Sequence, residues 1–250
     1  NSELYNLKSR DKKVEMKGVH LKGDNLATCL GTTVVDASVE ECAASTYIDQ
    51  YTNAFKKRAP KLGITEHVVD HVNNHTYFYL STRKIVFPLH PRSARSKITW
   101  LKQEDGSVVV NVSDLDVSVP EEDDIMKKYP VKTGNVLVSA HTVWVFKPLK
   151  PIGEIPQTEV TLTTRVDMAG HIPIAAMNVM GVKFLLTVSR LQERLDRSED
   201  IAKAKEEAQK AHNSSNLGIH DDVLDKAALM TLANIIKNEP QTYTESEEKK

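Results

Sequence analysis

The sequence predicts an α+β domain in which a curved antiparallel sheet is covered by one long C-terminal helix. Strand-like runs follow one another with only turns between them, so they pair as antiparallel neighbours rather than through helical crossovers. Helical periodicity is confined to residues 38–58 and to a stretch after residue 173. Strands and helices are therefore segregated along the chain, the mark of an α+β architecture. The third observation is the stretch 160–195. It begins as an alternating strand (Val160, Leu162, Thr164, Val166) and becomes a helix that is apolar on most of its circumference. Such a helix needs a large apolar partner to stay folded in water.

In chain order, residues 1–12 are polar and expected to be poorly anchored apart from Leu4, Tyr5 and Leu7. Residues 14–21 alternate, Lys22-Gly23-Asp24-Asn25 turns, and residues 26–35 form the second arm of a hairpin. Ser38-Val39-Glu40-Glu41 is a capping box that opens a helix running to about Arg58, where Ala59-Pro60 ends it. Strands are expected at 66–72 and 75–87 around Asn73-Asn74, then at 94–103 and 107–112 around Glu104-Asp105-Gly106. Residues 120–130 read as an acidic, solvated excursion. A strand at 136–146 and a proline-rich loop at 148–156 precede the last strand.

The run Asp167-Met168-Ala169-Gly170-His171-Ile172-Pro173 breaks that strand. Gly170 permits the turn, Pro173 fits the first turn of the helix, and Asp167 lies near enough to favour the exposed helical amides. The motif therefore reads as architectural. Residues 172–191 are nearly apolar enough to cross a membrane, but Asn178, Lys183 and Arg190 interrupt them. They read as a buried or lid helix. Beyond residue 197 the character changes: 200–212 is charged and alanine-rich, 213–216 is a linker, and 239–250 is a polar tail. A short helix at 222–237 (Leu224, Leu229, Leu232, Ile236) either packs on the domain or belongs to the next one. The expected division is a flank at 1–12, a domain at 13–197 and an extension at 198–250.

At 250 residues, with 40% apolar and 27% charged residues, the composition is that of a soluble globular chain. A net charge of -1 gives no basic surface that would point to nucleic acid. Arg83, Lys84, Arg92, Arg95 and Lys97 make the best local basic cluster, either a patch or the solvated face of strands. Cys29 and Cys42 form neither a disulfide framework nor a zinc site, which suits a reducing compartment and a cytoplasmic location. The chain opens on Asn1 rather than Met, so it is expected to be a piece of a longer protein whose other domains are partners.

Several stretches in order carry a resemblance. Pro88-Leu89-His90-Pro91-Arg92 leads into a strand with Trp100 and the hairpin Glu104-Asp105-Gly106-Ser107. Trp144-Val145-Phe146-Lys147-Pro148 closes a strand, and Glu159-Val160-Thr161 opens one that ends in Asp167–Pro173, with Asn178 in the helix beyond. Over residues 10–197 this set resembles the START lipid-binding family, the domain related to the steroidogenic acute regulatory protein. The resemblance implies a helix-grip fold, a sheet wrapped around a long C-terminal helix with a lipid tunnel between. It also implies a lipid or sterol ligand, non-vesicular transfer or sensing, and transient contact with a membrane surface. Where the family reads Pro-Arg-Asp-Phe, this chain has Pro91-Arg92-Ser93-Ala94. The buried acid–arginine pair of several sterol-binding members falls on Tyr79 and Ile98, which implies a more apolar pocket.

From the helix, Ile174, Met177, Asn178, Met180, Gly181, Phe184, Leu185 and Val188 are candidates for the lipid site; from the strands, Tyr77, Tyr79, Ile98, Trp100, Val110 and Trp144. Each either lines a tunnel or fills a core, and a one-residue bulge would reverse every strand assignment. Asn178 must find a hydrogen bond, from a ligand or from backbone. Arg165, His141 and Arg95 are head-group candidates. His67 and His71 are four apart on a strand, too distant to share a metal, so no metal or cofactor is expected. No nucleophile elbow, phosphate loop or carboxylate pair appears, so no catalytic residues are assigned. The alternatives are a helix-grip enzyme acting on a hydrophobic substrate and a ligand-free interaction module. The gate is expected at residues 148–156, moving against the N-terminal half of the last helix.

Overall fold

The computed structural model describes residues 4–9, 11–85, 88–203 and 224–238. Three strands come first, β1 (Leu4–Leu7), β2 (Glu15–His20) and β3 (Ala27–Val35). The helices α1 (Val39–Tyr47) and α2 (Asn53–Arg58) follow. Then come β4 (Ile64–His71), β5 (Thr76–Arg83), β6 (Arg92–Lys102) and β7 (Val108–Asp114). After α3 (Pro120–Lys128) the chain forms β8 (Val136–Leu137), β9 (Ser139–Ile152) and β10 (Ile155–Asp167). It closes with α4 (Ile174–Arg194) and α5 (Leu224–Asn238). All strands join one curved sheet in the order β1-β2-β3-β10-β9-β7-β6-β5-β4, with the short β8 parallel beside β6. The fold is the helix-grip arrangement.

The capping box forms: Ser38 accepts from the Glu41 N–H at 3.2 Å, and the Glu41 carboxylate accepts from the Ser38 N–H at 2.9 Å. The single helix expected over 38–58 is broken, however. Thr52 is a second N-cap, its hydroxyl accepting from the Phe55 N–H at 3.1 Å. That local bond competes with continuation of the helix, which stops at Tyr47 and restarts at Asn53.

The acidic excursion is the helix α3, with Pro120 in its first turn and carboxylates at its positive end. Glu122 is buried rather than solvated. It pairs with Lys97 at 3.1 Å and accepts from the Asp116 N–H at 2.7 Å. The proline-rich loop is the tip of the β9–β10 hairpin. Pairing of β9 with β7 ends at Phe146, so Pro148 and Pro151 lie where one edge of β9 has no partner strand and no missing donor is felt.

α4 lies along β3 and β10, while α1 covers the sheet over β7 and β9. α3 caps the opposite face of β4 to β6, and α5 packs on α1. α4 is 21 residues long and meets the length and composition of a membrane-crossing helix, with 33% of its apolar window buried. Its approach to the sheet is close because glycine meets it there. A Cβ on Gly31 would stand 3.4 Å from Leu185, and one on Gly181 only 2.9 Å from the Cys29 sulfur.

Candidate functional site

Strand register decides which side chains face α4, because cross-strand partners share a face. One row runs Tyr77, Ile98, Val112, Thr142, Thr164. The next runs Trp100, Val110, Trp144, Leu162, Gly31, and Gly31 lies under α4. Tyr79 belongs to a third row with Ser96 and Asp114. All six strand candidates thus point to the side gripped by the helix.

Two apolar clusters close the ends of this inner face. At one end α1 packs against Tyr77, Ile98, Trp100, Val110, Phe146 and Val160. The Tyr77 hydroxyl donates to the Tyr47 carbonyl at 2.8 Å, and the Trp100 indole donates to the Asn74 carbonyl at 2.8 Å. At the other end Leu26, Val138, Val166, Met168, Ile172 and Met177 close together, joined by Ile85 and Met180. Val69, Tyr79, Val112 and Trp144 pack along the inner side of the α1 cluster, Trp144 also on Leu162 and Leu185, yet they and Thr142 are only half-buried although they face inward.

The helix candidates divide into two sets. Gly181, Leu185 and Val188 are buried against β3 and hold α4 down. Val182 and Leu186 pack toward Val14 and Met16 of the β2 side. On the opposite flank stand Met177, Met180 and Phe184, in line with Leu191, which packs with α1. Phe184 is 38% exposed, and Ile174 at the helix start 41%.

Asn178 finds backbone. Its side-chain oxygen accepts from the Ala27 N–H at 2.9 Å and its amide donates to the Asn25 carbonyl at 3.2 Å, tying α4 to the β2–β3 turn. Arg165 donates to the Leu26 carbonyl at 2.8 Å and pairs with Asp24 on the same turn. Arg165 and His141 are cross-strand partners on the outer face, and Arg95 is buried beneath α3 with a 3.4 Å bond to the Met126 carbonyl. None of the three faces the interior. The inward hydroxyls include those of Tyr79, Ser96, Thr142 and Thr164, the last two 2.8 Å apart. Alternation around Trp144 and Ile98 would have found them once the parity was known.

The basic cluster is not a surface patch, since Arg92 and Arg95 are buried. Arg92 donates to the carbonyls of His90 (2.5 Å), Met168 (2.8 Å) and Ala169 (3.1 Å), and so braces the turn before α4. In that turn Ala169 and Gly170 both take positive φ, 51° and 68°. The Asp167 carboxylate accepts from the Ala169 N–H at 2.8 Å rather than from helical amides, and Pro173 is the N-cap residue, one position before the first turn.

The gate expected at 148–156 stands at the wrong end. The hairpin tip and the start of α4 are at opposite ends of β10, about 40 Å apart at ~3.3 Å per residue. Ile85, just after β5, instead joins Leu26, Val138 and Met177 in the cluster at the N-terminal half of α4.

His67 packs edge-on to Phe55, and among the described residues no group of three or more His, Cys, Asp or Glu is placed to hold a metal. Burial pushes the Cys42 thiol up to about 12 and raises that of Cys29, so both are poor nucleophiles. A groove of about 580 Å³ between α3 and β4–β5, lined by Asp70, Val72, Phe78, Glu121 and Ile125 among others, lies on the outer face and is separate from the interior.

No family model matches the sequence, and no curated protein matches it. Solved structures do. A STAR-related lipid transfer protein from Xanthomonas axonopodis is similar with a TM-score of 0.59 at 18% identity, over 77% of this chain and 98% of that one. The human StarD13 (DLC2) lipid transfer and protein localization domain gives 0.56 at 14% identity, over 79% and 91%. Human STARD10 gives 0.54 at 15% identity, over 84% and 76%. The chain has the fold of the START-related lipid transfer domains.

Proposed function

We propose that this chain binds one hydrophobic lipid or sterol between the sheet and α4 and carries or senses it, acting as a carrier rather than a catalyst. The observation that supports this is the row of inward but only half-buried side chains (Val69, Tyr79, Val112, Trp144) along the inner side of the α1 cluster. Their half-burial leaves inward apolar surface that a ligand can cover. A ligand tail placed there leaves water at a gain of roughly 25 cal/mol per Å² of apolar surface, while the hydroxyls of Tyr79, Ser96 and Thr142 orient its polar end. Met180 and Phe184 supply the helical wall.

In this reading entry opens where Ile85 parts from the N-terminal half of α4. Exposed Leu89, Ile174 and Val179 lie there, and they provide an apolar contact with a membrane surface during exchange. The two free, buried cysteines suit a cytoplasmic setting. Native mass spectrometry after exposure to a total lipid extract tests the reading. A one-to-one lipid adduct is expected on the 28.0 kDa chain, reduced severalfold by Trp144→Glu in a variant whose far-UV circular dichroism is unchanged. Only bare protein in the wild-type spectrum would overturn it.

A further inference from the structure

α5 contributes to the fold at a position that the sheet and α4 do not require. Its Ile236 is fully buried and Leu232 nearly so, in the same cluster as Val39, Ala43 and Tyr47 of α1. Small residues on α1 let the two helices approach closely. The C-terminal end of α5 is held by one cation. Lys102, at the end of β6 with a side chain only 10% exposed, places its ammonium 3.3 Å from the carbonyls of Ile236 and Lys237 and 3.8 Å from the Glu40 carboxylate. Orphan carbonyls at a helix C-terminus attract such a charge. The groove formed by α1 and the end of β6 is therefore a receptor for an amphipathic helix that ends at Lys102. α1 stands between that groove and the interior: its other side packs on Tyr77, Trp100 and Val110, and the Tyr47 carbonyl takes the Tyr77 hydroxyl.

We propose that α5 is a latch docked in cis. It clamps α1 over the end of the ligand-binding interior opposite the entry at α4, and its release opens this end as a second route, which speeds ligand exchange. This rests on the binding reading above. α5 is connected to α4 through residues 195–223 of the same chain, so the docking is intramolecular and its strength is set by the contacts of Leu232, Ile236 and Lys102. Loosening those contacts loosens α1 without touching the inward face.

The test uses the full chain with Ile236→Asp, which puts a charge in the buried seat, and with Lys102→Met, which removes only the capping ammonium. Hydrogen exchange of the α1 amides and release of preloaded NBD-cholesterol or NBD-phosphatidylcholine to phosphatidylcholine vesicles are read together. Both variants should keep their sheet amides protected. α1 exchange and probe release should rise, by about tenfold for Ile236→Asp and less for Lys102→Met. Unchanged α1 exchange in both variants overturns the latch, as does faster α1 exchange with unchanged probe release. A chain that takes up neither probe overturns the binding reading, and the latch with it. A wild-type dimer that Ile236→Asp converts to monomer overturns the cis assignment in favour of exchange between copies.

Discussion

Arg92 sits in a strand that alternates normally, yet the residue is 4% exposed and its guanidinium donates to main-chain carbonyls. A buried guanidinium is tolerable there because two carbonyls of a turn with two positive-φ residues, and that of His90, present their oxygens to it. Replacing it with methionine removes those donors and leaves the carbonyls without partners. Arg92→Met should lower the urea-derived unfolding free energy by about 2–4 kcal/mol, and a loss below roughly 0.5 kcal/mol would show that the turn holds without it. The motif around Asp167 to Pro173 was legible in the sequence as a turn. Its brace was not, since nothing local to Arg92 reveals which distant carbonyls its guanidinium will reach. Asn178 was legible only as a group that must be satisfied, and its partners at Asn25 and Ala27 come from another element.

Among elements, α4 is the one on which the grip depends, and Gly181 fixes its height above β3. In a free helix, Gly181→Ala should gain about 1 kcal/mol from propensity. Here the added methyl meets the Cys29 sulfur at 2.9 Å, and overpacking of this kind costs ~1–3 kcal/mol. The single substitution should therefore be neutral to destabilising, and Cys29→Ala with Gly181→Ala should be more stable than the sum of the two singles predicts. Additive effects in chemical unfolding would show that the two positions do not couple. The helix was readable from its apolar circumference. Its division into a buried face, a β2-side flank and an interior flank was not, because periodicity marks apolar positions without saying what covers each.

Charge acts at the scale of the whole molecule, most clearly where α3 is fastened to β4. Lys128 bonds Asp70 at 2.7 Å, and Tyr129 adds a second donor at 3.2 Å. The Lys128 hydrogen bond, offset in part by desolvation, holds the Asp70 carboxyl below its ordinary range, and the same bond raises Lys128. A depressed carboxyl contributes stability that is present above its unfolded value near 4 and is lost as pH falls through the folded one. The raised ammonium contributes below about 10.4 and loses that contribution as pH rises through its folded value. The clamp should therefore weaken at both extremes. Asp70→Asn should flatten the acid limb of the thermal midpoint between about pH 5 and 2; an unaltered acid limb would remove Asp70 from that role.

Alternation and turn residues were enough to predict an antiparallel sheet, the order of its main strands along the chain and a long final helix, because those patterns follow from the two- and 3.6-residue repeats of the backbone itself; Leu4–Leu7, expected in a loose flank, instead pairs with β2 as an edge strand. That Tyr77 and Tyr79, Ile98 and Trp100 share a face follows from the same alternation, but that this face is the inner one was fixed by strand pairing. What needed the tertiary structure was everything set by pairing at a distance: the closure of β3 on β10, the displacement of the expected gate to the far end of a strand, the placement of Arg165 and His141 on the outer face, and the seating of α5 on α1. Each depends on register and on which surfaces meet after the chain has folded back. A linear pattern carries local periodicity but holds no record of those encounters.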